Sequence, residues 1–297
     1  VSSDGAKIGF IGLGIMGQGM SRRLLGVGKA IHVWTRSSEA SEDLQAEYPD
    51  AVTVASSPAE VVEECDRTYL MLSTPAACEE VYTMEGGVLA AIRPGKALID
   101  CATLRPEDMA SLCERATALG GTFVEAPVSG SKAPAANGAL VFMCAGHKPT
   151  FEAATEELAA MGKASVFCGE QVGQATKMKL AVNLIMGTQL AALSEGLVLA
   201  ENLGLNLEDV QSVLDQGAMA SPMVALKGPL MAKREYPTAF PLKYALKDMR
   251  FALNLQGVSD MPVSKAATAA YEEANKDRDL GDLDFAAVME VAAKDQA

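Results

Sequence analysis

Short apolar runs alternate with helical patterns over the first part of the chain, from Lys7 to about Cys168. Such an alternation of strand and helix signals is typical of a parallel sheet that is wrapped by helices. The pattern therefore predicts an α/β fold for this part of the chain. The runs that we expect to form strands are KIGFI, AIHVWT, RTYLML, KALIDC, GTFVEAPV, ALVFMCAG and ASVFC.

From Gly173 onward the strand signals end, and only helical patterns remain. Residues 174–203 predict one long helix that is apolar almost all round, which implies burial by other helices or by a second subunit. A chain of 297 residues exceeds one ordinary core, so we expect a first domain over 1–170 and an all-helical second domain over 171–297. Further helices are predicted over 206–217, 242–255, 263–276 and 284–294.

Composition and charge exclude several classes of protein. Hydrophobic residues make up 49% of the chain and charged residues 21%, which excludes a disordered or fibrous protein. The net charge of -13 opposes general binding to nucleic acid or to an anionic membrane, so a small-molecule partner is favoured. Polar residues interrupt the most apolar stretch, 180–200, which argues against a membrane span.

The chain contains six scattered cysteines without a C-x-x-C pair, and only two histidines. We therefore expect no disulfide framework and no metal site, and buried free thiols are indicated instead. Free thiols fit a reducing compartment, so the cytoplasm is the expected location. An organelle is the alternative if a targeting peptide has been removed from before Val1.

A glycine-rich motif of the form G-x-G-x-x-G follows the first predicted strand and opens a helix-competent segment. In this motif the first glycine makes a tight turn, the second lets the backbone approach a pyrophosphate, and the third allows close packing of helix on strand. A glycine-rich turn without a ligand is the alternative, but the position between strand and helix favours dinucleotide binding. The expected cofactor contacts are Gly12, Leu13, Gly14, Ile15, Met16 and Gly17.

The end of the second predicted strand indicates which dinucleotide is bound. Enzymes that select NAD place Asp or Glu there, on the ribose 2′-hydroxyl. This chain has Thr35, Arg36 and Ser37 instead, and a guanidinium with neighbouring hydroxyls suits a 2′-phosphate. We therefore predict NADPH/NADP as the cofactor, with a solvated Arg36 as the alternative. A later strand end, 71–75, adds Leu72, Ser73 and Thr74 as cofactor contacts or as an ordinary turn.

Two further strand ends, at 100–103 and 127–131, are candidates for holding a carboxylate or acyl group. Ser129 offers a hydroxyl, and the backbone N–H groups around Gly130 can form a concave anion site. Ordinary strand-ending turns are the alternative interpretation of both segments.

Lys179 and Asn183 form a polar pair at i and i+4 within the long apolar helix. Burial of such a pair is costly, and an ammonium near a helix start opposes the macrodipole, so a structural role gives little reason for lysine here. Desolvation and the dipole would both lower the lysine pKa toward the range useful for proton transfer. We expect Lys179 to act as general acid and base. A lysine that reaches solvent, as expected of Lys177, is the equal alternative.

Residues 221–250 invert the charge of the chain, because six cations against two carboxylates give a local net charge of +4. A cationic rim over a cleft would attract an anionic cofactor and an anionic substrate. A solvated helical face is the alternative, and it best explains Lys233 and Arg234. The cations are Lys227, Lys233, Arg234, Lys243, Lys247 and Arg250, and the carboxylates are Glu235 and Asp248.

Taken together, six motifs resemble the β-hydroxyacid dehydrogenases, and within that family the glyoxylate and succinic semialdehyde reductases. The resemblance extends from about Lys7 to Val291. It implies an N-terminal Rossmann domain with a doubly wound sheet, a long inter-domain helix and an all-α C-terminal domain. It also implies NADPH-dependent reduction of small aldehyde acids, such as glyoxylate to glycolate. The motifs are GFIGLGIMGQGM, VWTRS, MLSTP, EAPVSGSKAPA, KMKLAVN and AFPLKYALKDMR.

The resemblance also implies roles for individual residues. Lys179 matches the catalytic lysine of the family, and Asn183 matches the asparagine one turn later. Ala175 stands where the family has the second glycine of its G-x-G-x-x-x-K run, which puts the backbone approach at that turn in doubt. The implied substrate-binding residues are Thr103, Ser129, Gly130, Ser131, Phe240 and Asp248, and Thr103 and Lys247 are implied to contact the cofactor.

Two alternatives stay open at this point. One is another β-hydroxyacid dehydrogenase, acting on 3-hydroxyisobutyrate or tartronate semialdehyde. The other is a dinucleotide-binding scaffold without catalysis, because a fold does not fix a function, although Lys179 argues against it. The apolar long helix predicts a homodimer or homotetramer, and neither nucleic acid nor a membrane is an expected partner.

Overall fold

A computed structural model of the protein describes residues 5–255, 257 and 259–293. The chain divides into two compact units, with the boundary between Lys179 and Leu180. The domain boundary predicted at residues 170 and 171 stays a prediction.

The first unit contains a nine-stranded sheet in the order β3-β2-β1-β4-β5-β6-β8-β7, with β9 beside β8. The strands from β1 to β6 pair in parallel, as expected. Beyond β6 the expectation of parallel pairing was wrong for β8 with β6 and β7, which run antiparallel, whereas β8 and β9 pair in parallel as expected. The strands are β1 (Ile8–Ile11), β2 (Ile31–Trp34), β3 (Val52–Val54), β4 (Arg67–Leu70), β5 (Ala97–Asp100), β6 (Thr122–Glu125), β7 (Val128–Ser129), β8 (Leu140–Gly146) and β9 (Gly162–Phe167).

Helices cover both faces of this sheet. Neighbouring strand residues such as Tyr69 and Leu70 are both buried, yet they belong to different apolar clusters, because alternate side chains of a strand point to opposite faces. The predicted doubly wound sheet is therefore confirmed. The helices are α1 (Ile15–Gly26), α2 (Glu39–Glu47), α3 (Pro58–Glu64), α4 (Pro75–Thr83), α5 (Val88–Ala91), α6 (Pro106–Ala118), α7 (Lys132–Ala136), α8 (Lys148–Ala153) and α9 (Thr155–Met161).

The second unit is helical, with an isolated bridge between Pro241 and Asp284 as its one β feature among the described residues. Its core brings together side chains such as Leu190, Leu246 and Tyr271. The predicted all-α character is confirmed. The helices are α10 (Gln174–Asn202), which begins in the first unit, α11 (Leu207–Gln216), α12 (Pro222–Ala232), α13 (Leu242–Leu253), α14 (Pro262–Ala274), α15 (Arg278–Asp282) and α16 (Met289–Ala293).

Two details of the second unit differ from the sequence prediction. Helix α12 was not predicted, and it contains Pro229 in its interior, where proline normally breaks a helix. The helix predicted over 284–294 begins instead with a 3₁₀ turn, Phe285–Val288, before α16. The predicted last residue of that helix, Lys294, lies outside the described residues.

Helix α10 is long and apolar enough to cross a membrane by length and composition alone. In its most apolar 18-residue window, 44% of the residues are buried within the protein. The core helix of a soluble protein meets the same two criteria, so length and apolarity do not by themselves identify a span.

Candidate active site

In the first unit, the predicted cofactor segments and the predicted substrate loop follow strands whose carboxyl ends lie at one edge of the sheet. Because β1, β2, β4, β5 and β6 are parallel, the loops that follow them emerge side by side. Ligands of open α/β sheets bind outside the carboxyl ends of the strands. The segments at this edge are 12–17 after β1, 35–37 after β2, 72–74 after β4, Thr103 after β5 and 126–131 after β6.

Two glycines of the G-x-G-x-x-G motif at residues 12–17 are required by the fold, whether or not a ligand is bound. Gly12 has a φ of +98°, and a Cβ added there would lie 2.5 Å from the carbonyl oxygen of Met71. A Cβ added at Gly17 would lie 1.9 Å from the carbonyl oxygen of Gly12. Turn geometry and close packing of α1 on β1 therefore explain both positions.

Gly14, in contrast, is exposed, and a Cβ added there would meet no atom within 4 Å. It is the N-cap residue of α1, without a side-chain cap and without an acidic residue in the first turn. The first N–H groups of a helix lack intrahelical partners and favour negative charge. The open space at Gly14 therefore fits a pyrophosphate, and residues 12–17 are the ones that would hold it.

Arg36 follows β2 and is 79% exposed at its side chain. Its Nη1 lies 3.6 Å from Glu80 Oε2 on α4, and that carboxylate is exposed as well. Thr35 and Ser37 flank Arg36 in the sequence, so a cation and hydroxyls follow β2 where NAD-selective enzymes have an acidic residue. The predicted cofactor residues Leu72, Ser73 and Thr74 precede α4, and Thr74 caps that helix by accepting the Ala77 N–H at 3.1 Å.

The predicted substrate loop crosses from β7 into α7. Gly130 has a φ of +129°, and a Cβ there would lie 2.7 Å from Leu140 Cδ2, so glycine is required at this turn. Ser129 and Ser131 on either side are partly exposed, and Ser131 is the N-cap residue of α7 without a side-chain cap bond.

Sequence reasoning missed the part played by two buried carboxylates at strand ends. Asp100 and Glu125 are register partners at the ends of β5 and β6, and each is fully buried. Asp100 accepts the Ala102 N–H at 2.9 Å and the Tyr82 hydroxyl at 2.8 Å, which fixes the turn leading to Thr103. Burial raises the pKa of Asp100 to about 6, although both hydrogen bonds act to lower it. A charged residue that ends an apolar strand was the available signal.

Glu125 accepts hydrogen bonds from the segment that begins α10. Its Oε1 accepts the N–H groups of Gly173 at 2.6 Å and Ala175 at 2.9 Å. Its Oε2 accepts from Thr176, through the N–H at 3.2 Å and the hydroxyl at 2.5 Å. Burial raises the pKa of Glu125, and these four hydrogen bonds act against that shift. Ala175, which stands where the family has a glycine, is fully buried, and its backbone N–H still donates to Glu125.

The predicted general acid, Lys179, is buried on α10 with 6% of its surface exposed, whereas Lys177 is exposed. Asn183 follows one helical turn later and is also buried. In the second unit, the Asn183 side-chain amide donates to Asp248 Oδ2 at 2.6 Å. The polar pair predicted from i, i+4 spacing is thus buried.

Other predicted residues of the second unit lie around α13. The Lys247 Nζ is 3.1 Å from Asp248 Oδ1 and 5.2 Å from the Phe251 ring centre. Phe240 precedes α13 and packs edge-on against Phe285, with 5.6 Å between ring centres.

The cations of residues 221–250 are largely paired within the second unit, which corrects the expectation of a cationic rim. Lys227 is buried and lies 2.7 Å from Asp284 Oδ1, and Arg234 reaches both Glu201 and Glu290. All of the carboxylate partners except Asp248 lie outside the window of sequence that suggested the excess of positive charge. The remaining pairs are Lys243 with Asp282, Lys247 with Asp248, and Arg250 with Glu272, while Lys233 is exposed.

Two family models together match residues 7–292. Residues 7–172 match the NAD-binding domain of 6-phosphogluconate dehydrogenase. Residues 173–292 match the NAD-binding region of NADP-dependent 3-hydroxyisobutyrate dehydrogenase. The predicted cofactor, NADPH/NADP, is therefore confirmed at the level of an NAD(P) dinucleotide.

Similar proteins cover almost the whole chain. Glyoxylate/succinic semialdehyde reductase 1 of Arabidopsis thaliana is 46% identical over 96% of this chain and 97% of its own. The chloroplastic reductase 2 of the same plant is 42% identical over 96% of this chain and 78% of its own. A solved structure of Mycobacterium tuberculosis 3-hydroxyisobutyrate dehydrogenase with L-serine is 29% identical, with a TM-score of 0.84 over 98% of this chain and 99% of that one.

These similarities agree with the open helix end at Gly14 and with the motifs that suggested the family. The predicted family and the predicted class of enzyme are both confirmed. The chain belongs to the β-hydroxyacid dehydrogenase family of NAD(P)-dependent oxidoreductases.

Proposed function

We propose that this enzyme uses NADPH to reduce small aldehyde acids, glyoxylate to glycolate and succinic semialdehyde to 4-hydroxybutyrate. The observation that carries the proposal is the buried amine of Lys179 on a helix whose first turn is fixed to the end of β6. The 46% identity to a glyoxylate/succinic semialdehyde reductase supports the choice of substrates.

Cofactor binding is assigned to the loops at the carboxyl edge of the sheet. Residues 12–17 hold the pyrophosphate, and Arg36 with Thr35 and Ser37 binds the 2′-phosphate that distinguishes NADPH from NADH. The bound nicotinamide supplies the hydride. The remaining cofactor contacts that we assign are Leu72, Ser73, Thr74, Thr103 and Lys247.

Substrate binding is assigned to the end of β7 and the loop that follows it. Ser129 and Ser131 donate hydroxyl hydrogen bonds to the substrate carboxylate, and the backbone at Gly130 offers an N–H group at close approach. Thr103 orients the aldehyde next to the cofactor. Phe240 and Asp248 complete the assigned set of substrate-binding residues.

Proton transfer is assigned to Lys179. The aldehyde carbon gains a hydride, its oxygen gains the ammonium proton of Lys179, and the product is the hydroxy acid. Asn183 orients the lysine one turn away, and its amide is itself held by Asp248. General acid catalysis of this kind contributes roughly 100-fold to 10,000-fold in rate.

The test replaces Lys179 with Ala and follows NADPH oxidation with glyoxylate, succinic semialdehyde and methylmalonate semialdehyde. We expect kcat to fall at least about 100-fold while the Kd for NADPH changes less than about twofold. Lys177→Ala, two residues earlier and exposed, is the matched control and should keep its turnover. Near-normal turnover in Lys179→Ala would remove this lysine from the mechanism.

The same assay tests the second candidate function, a 3-hydroxyisobutyrate dehydrogenase, which the similarity to the M. tuberculosis enzyme favours. Preference for methylmalonate semialdehyde over both other aldehydes would establish that alternative. Lack of turnover with all three, together with NADPH binding, would instead favour a scaffold without catalysis.

We further infer a homodimer or homotetramer in the cytoplasm. Four large apolar side chains of α10 are exposed, among them Ile185 at 68% and Leu199 at 59%, which supports their burial against a second subunit. Light scattering coupled to size exclusion measures the oligomeric state, and a monomer at micromolar concentration would contradict the inference. Cell fractionation tests the location.

A further inference from the structure

The end of β6 carries a carboxylate that has no place in the proposed chemistry, yet it contacts the helix that presents the proton donor. Glu125 is fully buried and accepts four hydrogen bonds from Gly173, Ala175 and Thr176. Three of the four donors are backbone N–H groups around the first turn of α10. The start of this helix is therefore capped by a side chain that lies 50 residues before Ala175 in the sequence.

The physical reason for this contact is the set of unpaired donors at a helix start. The first N–H groups of α10 have no intrahelical acceptors, and leaving buried donors unpaired is costly. α10 has no acidic residue of its own in its first turn. Glu125 supplies both the missing acceptors and the negative charge that the helix macrodipole favours there.

The position of Glu125 links two parts of the proposed site. Lys179 lies three residues after Thr176, about one turn along the same rigid helix. Ser129 lies four residues after Glu125, on the short segment that leads to the substrate loop. We propose that Glu125 is a positioning residue, whose carboxylate sets the place of Lys179 relative to the substrate loop at Ser129. This inference rests on the proposed role of Lys179 as the proton donor.

The fit of Ala175 agrees with this role. Its side chain packs in a small buried cluster with Met143 and Ala145 of β8, while its N–H donates to Glu125. The first turn of α10 is thus held both by apolar packing of the Ala175 side chain and by the carboxylate of Glu125. A helix start held in this way has little freedom to shift, which is what precise orientation of a proton donor requires.

The test compares Glu125→Gln with a second buried carboxylate of the same unit. Glutamine keeps the shape of the side chain, but it places an NH2 group where one of the accepting oxygens stood. We expect kcat to fall about 10- to 100-fold while the Kd for NADPH stays within about twofold, because the four hydrogen bonds of Glu125 are made to the start of α10 and not to residues 12–17. Hydrogen exchange at the amides of Ala175 and Thr176 should become faster.

Glu157→Gln is the matched control. Glu157 is as buried as Glu125, but it pairs with Arg67 at 2.8 Å, at the start of β4 and away from the carboxyl edge of the sheet. This variant should lower the melting temperature while leaving kcat within about twofold. Thr176→Val removes only the side-chain donor to Glu125, so a three- to tenfold loss of kcat is expected. It also serves as the test if Glu125→Gln does not fold.

The outcomes separate this inference from the proposed function. If Lys179→Ala is inactive while Glu125→Gln and Thr176→Val both keep normal kcat, the positioning role is wrong and the proposed function stands. If Lys179→Ala keeps its turnover, the proposed function is wrong and the positioning role is withdrawn with it. A drop in kcat of equal size in Glu157→Gln would reduce the effect of Glu125 to general stability and would overturn the inference.

Discussion

Helices α1 and α10 both begin in the first unit, and their N-termini differ in what faces the unpaired backbone N–H groups. At α1 the N-cap residue is Gly14, which has no side chain and has open space around its Cα. At α10 the buried carboxylate of Glu125 already accepts the N–H groups. One helix start is available to an external anion, and the other is occupied by an anion from the protein itself.

The difference shows that the same physical feature serves two purposes. Unpaired donors and the macrodipole make any helix start attractive to negative charge. Where that charge is a side chain of the protein, the helix start is fixed in place, and residues further along the helix are therefore held in defined positions. Where no side chain supplies it, the helix start can bind a phosphate. A capped start therefore indicates positioning, and an uncapped start beside a glycine-rich turn indicates recognition.

The largest effect should be a loss of stability on adding one methyl group at Gly17 of α1, where no space exists for it. Gly17→Ala should lower the free energy of unfolding by about 3 kcal/mol, because its Cβ would meet the Gly12 carbonyl. Gly14→Ala is the matched control and should change it by less than about 0.5 kcal/mol, since its Cβ meets open space. Urea titration followed by circular dichroism measures both values. Equal losses would mean that the start of α1 is as closed as that of α10.

A somewhat smaller effect should follow from giving α1 the carboxylate that α10 already has. Gly14→Asp should raise the Kd for NADPH about 100-fold, because the new charge takes the place of the pyrophosphate and repels it. The same carboxylate should cap the helix and raise the free energy of unfolding by about 0.5 kcal/mol. Fluorescence titration and thermal melting measure the two effects. Unchanged NADPH affinity would contradict the assignment of this helix end to the cofactor.

Much of this contrast could be predicted from local sequence. The fingerprint at 12–17 depends on spacing between neighbouring residues, and the glycines there have local consequences for turn geometry and packing. The buried pair of Lys179 and Asn183 follows from helical periodicity within a single element. Both kinds of signal lie within about ten residues, which is why the family, the doubly wound sheet and the long helix were predicted correctly.

The remainder depends on contacts between distant residues. The cap of α10 joins Glu125 to residues about 50 positions later, and no periodicity records which helix start a strand-ending carboxylate will meet. The partners of the ion pair between Lys227 and Asp284 are 57 positions apart, so the charge count over 221–250 includes the cation but not its partner. Helix α12 was missed because Pro229 is normally a breaker, and packing of its buried face outweighs that local preference.

The open start of α1 needs a cation from elsewhere to choose between dinucleotides, and Arg36 is our candidate. Arg36→Ala should raise the Kd for NADPH about 10- to 30-fold, since hydrogen bonds to a charged group contribute about 1.5 to 2 kcal/mol. The Kd for NADH should change less than about twofold, because NADH has no 2′-phosphate. Separate titrations of Arg36→Ala with NADPH and with NADH measure the two Kd values. Equal losses for both would assign Arg36 a general electrostatic role.

The smallest effect concerns the partner that Arg36 has before any cofactor binds. Its Nη1 lies 3.6 Å from Glu80 Oε2, and an exposed pair of this kind contributes at most about 1 kcal/mol. Glu80→Gln should therefore lower the Kd for NADPH only about two- to threefold, and less at high salt. In an Arg36→Ala background the gain should vanish, because Glu80 acts by competing for the guanidinium. A gain that persists there would place the Glu80 charge directly against the phosphate. In either case Arg36, which serves the open start of α1, must be able to leave Glu80 and bind the cofactor instead. Glu125, which caps α10, is buried and keeps its hydrogen-bond partners.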